Sequence, residues 1–190
     1  MVAETPVRRR RADAQRNRDA ILRAAREVFE ADGILAPLDN IATAAAVGNA
    51  TLYRNFPTRD DLLRAVIEDG VSELVAESAE LELDLDAGEA LRQWLFRVTW
   101  ALRIWHDLPS CIATAHDDEG SPVRPVTDRL IERTRQFLER FRAGTNGSPV
   151  TAEELFQLVT AVSWAVDRFG DDQESARRRI EFATAGLFHT

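Results

Sequence analysis

Residues 47–56 read VGNATLYRNF, and the order of those residues poses the question on which the fold turns. Leu52 and Phe56 stand four apart, so a helix here points both the same way, into whatever it packs against. Tyr53, Arg54 and Asn55 sit side by side between them. A helix built only for packing would not carry that polar cluster. Val47-Gly48-Asn49 reads as a turn, with Gly48 relaxing the backbone and Asn49 capping a helix over 50–56. Pro57-Thr58 breaks that helix. Thr58 caps the next one, with Asp60 and Asp61 at the favourable end of its dipole.

Working outward, apolar residues recur at helical spacing throughout, and no strand-like alternation stands out. A first helix is expected over 14–32, with a stripe of Ile21, Leu22, Ala25, Val28 and Phe29 and a stop at Asp32-Gly33. A short second helix over 37–45 starts at Pro37, with Asp39 in its first turn, and packs through Leu38, Ile41, Ala42 and Ala45. Two helices of about eight residues are too short to be stable alone. Flanked by the helix at 14–32 and one at 59–78, they form a small bundle that leaves the outer face of the 50–56 helix free. That is a helix-turn-helix arrangement, whose second helix enters the DNA major groove. Asn49, Ala50, Tyr53 and Arg54 are expected to face outward as its reading face.

The charge distribution fits that use. The net charge is −8, which by itself argues against a polyanionic partner. Residues 1–64, however, hold 11 Arg against 9 Asp plus Glu, while residues 65–190 hold 13 Arg against 23. A mildly basic head on an acidic body is the asymmetry expected when only the head meets DNA. Every basic residue is Arg, and Arg8–Arg11 form a basic tract within an arm expected to be disordered over 1–13.

The stretch RNRDAILRAAREVFEADGILAPLDNIATAAAVGNATLYRNFPTRDDLLRAVI, residues 16–67, resembles the DNA-binding domain of the tetracycline-repressor (TetR) family. The resemblance rests on the AA…F…G pattern of the first helix, the IA of the second, the TLYRNF block and the FPTRDDLL entry to the fourth. It implies an all-α fold. A helix-turn-helix domain over 14–60, with the start of helix four to about 67, precedes a helical effector-binding and dimerisation domain over 68–190. It implies DNA contacts from Thr43, Asn49, Ala50, Thr51, Tyr53, Arg54, Asn55 and Arg59, with Thr43 and Arg59 on phosphate and Arg54 suited to guanine O6 and N7. The Arg8–Arg11 tract would act as an arm on phosphates or in the minor groove. Three positions depart from the family pattern. Ala46 stands where the turn usually has glycine, Ala50 where glycine often precedes the Thr, and Ala36-Pro37-Leu38 where a Ser or Thr commonly opens helix two.

The remaining two thirds resembles the family only in the number and length of its helices. Helices are expected over 87–106, 110–117, 122–143, 151–170 and from Asp171 nearly to the C-terminus, with a capping box at Thr151 and Glu154. The 87–106 helix is apolar on almost every face. It reads either as plain core or, as in the family, as the wall of an effector pocket formed with Trp94, Val98, Trp100, Ile104, Trp105, Cys111, Phe137 and Trp164. The last two helices carry more apolar surface than one internal face requires. The resemblance implies a homodimer through Leu155, Leu158, Val159, Val162, Val166, Ile180, Ala183 and Leu187.

Other classes find little support. No run of about 18 apolar residues suggests a membrane span. One cysteine and no secretion signal fit the cytoplasm. His106, Cys111 and the HDDE run at 116–119 fall in an expected loop, so neither a metal nor a cofactor is expected. No acid, base or nucleophile has a partner that would suggest an enzyme. The reading is a sequence-specific transcriptional regulator, a repressor that binds a palindromic operator as a homodimer and responds to an unknown small molecule, with the long fourth helix as its lever. A weakly specific DNA-binding or interaction protein without an effector is the alternative.

Overall fold

The computed structural model describes residues 6–103, 124–144 and 149–188, with side chains from residue 13 onward. The described residues form eight α-helices and no strand. In chain order these are α1 (Pro6–Asp32), α2 (Leu38–Ala44), α3 (Asn49–Asn55), α4 (Arg59–Asp84), α5 (Ala87–Leu102), α6 (Arg124–Arg142), α7 (Ala152–Arg168) and α8 (Gln173–Phe188). They divide into two compact units, Met1–Asp69 and Gly70–Thr190, and α4 contributes residues to each. The helix expected over 110–117 lies outside the described residues.

In the first unit, α1 packs on α2 and α3. Its stripe of Ile21, Leu22, Ala24, Ala25 and Phe29 is buried, as are Ile41 and Ala42 of α2, Leu52 of α3, Phe56, and Leu62 and Val66 of α4. Val28, expected in that stripe, is only half-buried at its edge. The helix begins at Pro6, eight residues before the expected start. Arg8–Arg11 therefore stand on helical backbone where a disordered arm was expected. Pro6 suits a first helical position, and Arg, Ala and Gln are good helix formers, so the basic tract extends the helix.

Turns follow from capping. α1 ends at Gly33, whose φ of +80° closes a bond from its N–H to the Phe29 carbonyl. Thr58 and Asp61 form a reciprocal box at the start of α4. The Thr58 N–H donates to Asp61 Oδ2 and the Asp61 N–H to Thr58 Oγ1. The Thr151–Glu154 capping box opens α7 as the sequence predicts.

In the second unit, α5 is the central helix, packed on α6, α7 and α8. Eight of its residues are buried, from Ala90 to Leu102. Trp94 stacks on Phe137 of α6 with ring centroids 5.4 Å apart, and its indole N–H donates to Thr134 Oγ1 at 2.9 Å. That hydroxyl donates its own O–H to the Leu130 carbonyl, so both buried polar groups are satisfied. Arg133 ties α6 to Ser78 and Glu82 of α4. Arg135 pairs with Glu153, and Arg179 with Asp171. Among the described residues, no helix is long and apolar enough to cross a membrane.

Candidate nucleic-acid interface

The short helices α2 and α3 are joined by Ala45–Gly48, and the backbone of that turn is specific. Ala45 remains right-handed, with φ −75° and ψ −4°. Ala46 turns left-handed with φ +53°, the only non-glycine residue to do so among the described residues. Its N–H reaches the Thr43 carbonyl, and the Val47 N–H reaches the Ala42 carbonyl, each at 3.0 Å. This is the Schellman arrangement of a helix end. Gly170 plays the same part after α7 with φ +64°. Gly48, expected to relax the turn, has an ordinary φ of −75° and serves as the cap residue of α3. The strained position is Ala46.

α3 then turns Leu52 and Phe56 into the core, as their spacing predicts, and Arg18 of α1 lies over the Phe56 ring. The rest of α3 faces outward. Tyr53 is 48% exposed. Asn49, Ala50 and Arg54 are exposed, Thr51 and Asn55 are half-buried, and Thr43 is exposed on α2. Arg54, Asn55 and Thr43 already have partners within the unit. Arg54 folds back along α3, its Nε donating to the Ala50 carbonyl and its Nη2 to Thr51 Oγ1. Asn55 donates to the Thr51 carbonyl, and Thr43 to the Asp39 carbonyl.

One expected role changes, and one expected contact residue has partners within the fold. Asn49 does not cap α3, because it is the first helical residue. Its side-chain amide donates instead to Asp39 Oδ1 at 2.9 Å. Arg59, expected on phosphate, is anchored within its own unit. Its Nη1 donates to the Ile34 and Ala36 carbonyls at 2.8 and 2.7 Å, which anchors the α1–α2 loop. Sequence spacing could not reveal either partnership, since the partners lie ten or more residues away. Asp39 is the residue of this surface that the sequence reading left out of the candidate site. The Asp61 carboxyl is held below the usual carboxylate range, chiefly by the Thr58 hydroxyl, then by the Thr58 N–H and the nearby Arg64 charge.

The sequence-predicted pocket residues of the second unit differ in burial among the described residues. Trp94, Val98 and Phe137 are fully buried core, and Trp94 and Phe137 fill each other's surroundings. Trp100 is half-buried with the Arg103 guanidinium 3.4 Å from its ring centre. Trp164 is 48% exposed on α7. Ile104, Trp105, Cys111, His106 and the HDDE run lie outside the described residues. The predicted dimer residues divide in a similar way. Leu155, Val159, Val162, Val166 and Ile180 are buried inside the chain's own core, Ala183 and Leu187 are half-buried, and only Leu158 is exposed. The reason is helical phase: those five lie on the inward stripes of α7 and α8. The outward apolar residues are Leu158 and Trp164 on α7 and Phe182 on α8.

A tight turn between two short helices, packed on a long one and presenting a polar outer face, makes the first unit a helix-turn-helix of the kind that docks in a DNA groove. Residues 21–66 match the family of bacterial regulatory proteins, tetR family. Over 52 residues the chain is 52% identical to the HTH-type transcriptional repressor LfrR of Mycolicibacterium smegmatis, a match covering 27% of each chain. It is 32% identical over 124 residues to the HTH-type transcriptional repressor NicS of Pseudomonas putida, covering 64% of this chain and 57% of that one. The matches thus span about a quarter and somewhat over half of these curated relatives. A TetR transcriptional regulator from Streptomyces coelicolor has a similar structure, with a TM-score of 0.69 at 28% identity over 90% of this chain and 97% of that one. LfrR from Mycobacterium smegmatis, solved in complex with proflavine, shares the fold with a TM-score of 0.66 at 24% identity over 93% and 98% of the two chains. The chain is therefore similar to TetR regulators in sequence over its helix-turn-helix and in fold over most of its length.

Proposed function

We propose that this protein is a DNA-binding transcriptional repressor that reads a palindromic operator as a homodimer and is released by a small molecule. The observation that carries the reading is the outer face of α3. Asn49, Tyr53 and Arg54 are exposed there while Leu52 and Phe56 anchor the helix from behind. The likeness to repressors is strongest over this unit. Thr43, Ala50, Thr51 and Asn55 flank that face as candidate backbone contacts. Arg54 swings from its intrahelical bonds onto a base edge, where its planar fork suits guanine.

Dimerisation uses the outward apolar residues Leu158, Trp164 and Phe182. Phe182 is 85% exposed, so a single chain leaves its ring in water. α7 and α8 pack together, which puts these residues on one helix pair. Two copies then present two reading heads to two half-sites. LfrR was solved in complex with the small molecule proflavine, and we place an effector of this chain in the second unit, acting as a population shift along α4, whose residues belong to both units.

A binding titration tests the reading. DNA flanking the protein's own gene is compared with random-sequence DNA at two salt concentrations. Saturable binding to one fragment that random DNA cannot match supports a specific regulator. Weak binding to every fragment, lost with salt, means a loose DNA-binding protein instead. Phe182→Glu with Trp164→Glu gives a monomer by sedimentation if the dimer face is correct.

A further inference from the structure

Asp39 presents a problem for a DNA-facing surface. It is an exposed carboxylate on α2, beside the helix that reads the groove, and phosphate repels it. It is not held by a basic partner in its own helix. It accepts the amide of Asn49 instead, at 2.9 Å and ten residues away. A carboxylate can only accept, so the Asn49 NH₂ must turn toward it and the amide cannot flip. The Asn49 Oδ1 receives no hydrogen bond among the described residues. The side chain at the tip of α3 is therefore fixed with its acceptor available.

In the major groove adenine offers N6–H₂ and cytosine N4–H₂ as donors, while guanine and thymine offer acceptors at O6 and O4. A fixed Asn49 Oδ1 with a negative charge behind it favours the first pair over the second, although the remaining amide N–H can still donate to an acceptor. From this geometry we infer that Asp39 is a specificity-determining residue: it positions Asn49 to read an amino-bearing base, adenine or cytosine, at one position of each half-site. The inference rests on the proposed role of α3 in reading DNA. It adds a residue on the other helix that sets which base α3 accepts. Asp39 lowers general DNA affinity through its charge and raises discrimination against the wrong base.

The test is selection of bound duplexes from a library of randomised double-stranded DNA, using the full-length protein. Wild type is compared with Asp39→Ala, Asp39→Asn and Asn49→Ala, each checked for folding by its melting curve. Wild type is expected to enrich a motif with adenine or cytosine at one position per half-site. Asp39→Ala should lose about tenfold of that preference at the same position as Asn49→Ala, and leave the other positions alone. Its binding to random DNA should be equal or tighter, because a negative charge has gone. A merely structural defect would weaken both. Asp39→Asn keeps an acceptor oxygen for the Asn49 amide and should retain part of the preference. If wild type enriches a motif and Asp39→Ala enriches the same motif at every position, the positioning role is wrong while DNA reading stands. If wild type enriches nothing, DNA reading by α3 fails and the inference falls with it. A misfolded Asp39→Ala transfers the decision to Asp39→Asn, whose base profile at that position must differ from wild type in strength.

Discussion

Replacing Ala46 with glycine should stabilise this protein, although the substitution removes a methyl group and adds backbone freedom. Ala46 holds φ at +53° in the turn between the two short helices. An L-residue in the left-handed region carries a penalty of about 1–2 kcal/mol from its Cβ against the carbonyl oxygen. Glycine removes that penalty. It also gives the unfolded chain more freedom, which costs about 0.5–1 kcal/mol. The difference spans about 0 to 1.5 kcal/mol, with a mid-range net gain of about 0.75 kcal/mol. The bonds from Ala46 N–H to Thr43 O and from Val47 N–H to Ala42 O use backbone atoms only, so glycine keeps them. For a chain of this size the gain corresponds to a rise of about 1–4 °C in melting temperature. Urea and thermal unfolding followed by circular dichroism measure it. Ala45→Gly is the control, because Ala45 is right-handed at φ −75° and gains nothing from glycine. It should lose about 0.5–1 kcal/mol. If Ala46→Gly lowers the midpoint, or both variants move together, the left-handed turn is not populated as described and the reasoning fails.

Three further perturbations test other parts of the structure. Thr134→Val leaves the Trp94 indole N–H buried without an acceptor, and should cost about 1–3 kcal/mol by urea unfolding, with Thr134→Ser recovering most of it. A neutral result would mean that the indole finds another partner. Arg59→Ala removes a charged donor from the Ile34 and Ala36 carbonyls and should destabilise by about 1.5–3 kcal/mol while changing the salt slope of DNA binding little. A flattened slope at unchanged stability would return Arg59 to a phosphate role. The folded-state pKa of Asp61 is lowered, so its contribution to stability is present above the ordinary carboxylate value near 4 and is lost as pH falls through the lowered one. Melting temperatures taken across that range should fall on the acid side, and Asp61→Ala should fall less over the same range. An identical acid dependence would remove Asp61 from the account.

Much of the first unit was legible because its signals are local. The glycine stop at Gly33, the Thr58 box and the spacing of Leu52 and Phe56 each act within one or two turns, and each appears where the sequence predicts. The departure at Ala46 was visible as a missing glycine, but its left-handed backbone is known only from the turn's hydrogen bonds. The second unit was less legible. Its helices are apolar on several faces, so composition cannot say which stripe packs inside. Leu155, Val159 and Val162 proved to be core, and Leu158 and Trp164 proved to be surface.

The sequence by itself determined the helices of the described residues and the helix-turn-helix pair near the N-terminus, because periodicity, caps and the TLYRNF block are local properties of the chain. Tertiary structure alone decided the partners of the polar side chains. Asn49 turns to Asp39, Arg59 to the carbonyls of Ile34 and Ala36, and Trp94 to Thr134. A hydrogen bond depends on which atoms the folded backbone brings within 3 Å, and the separations of 10, 25, 23 and 40 residues follow no helical period.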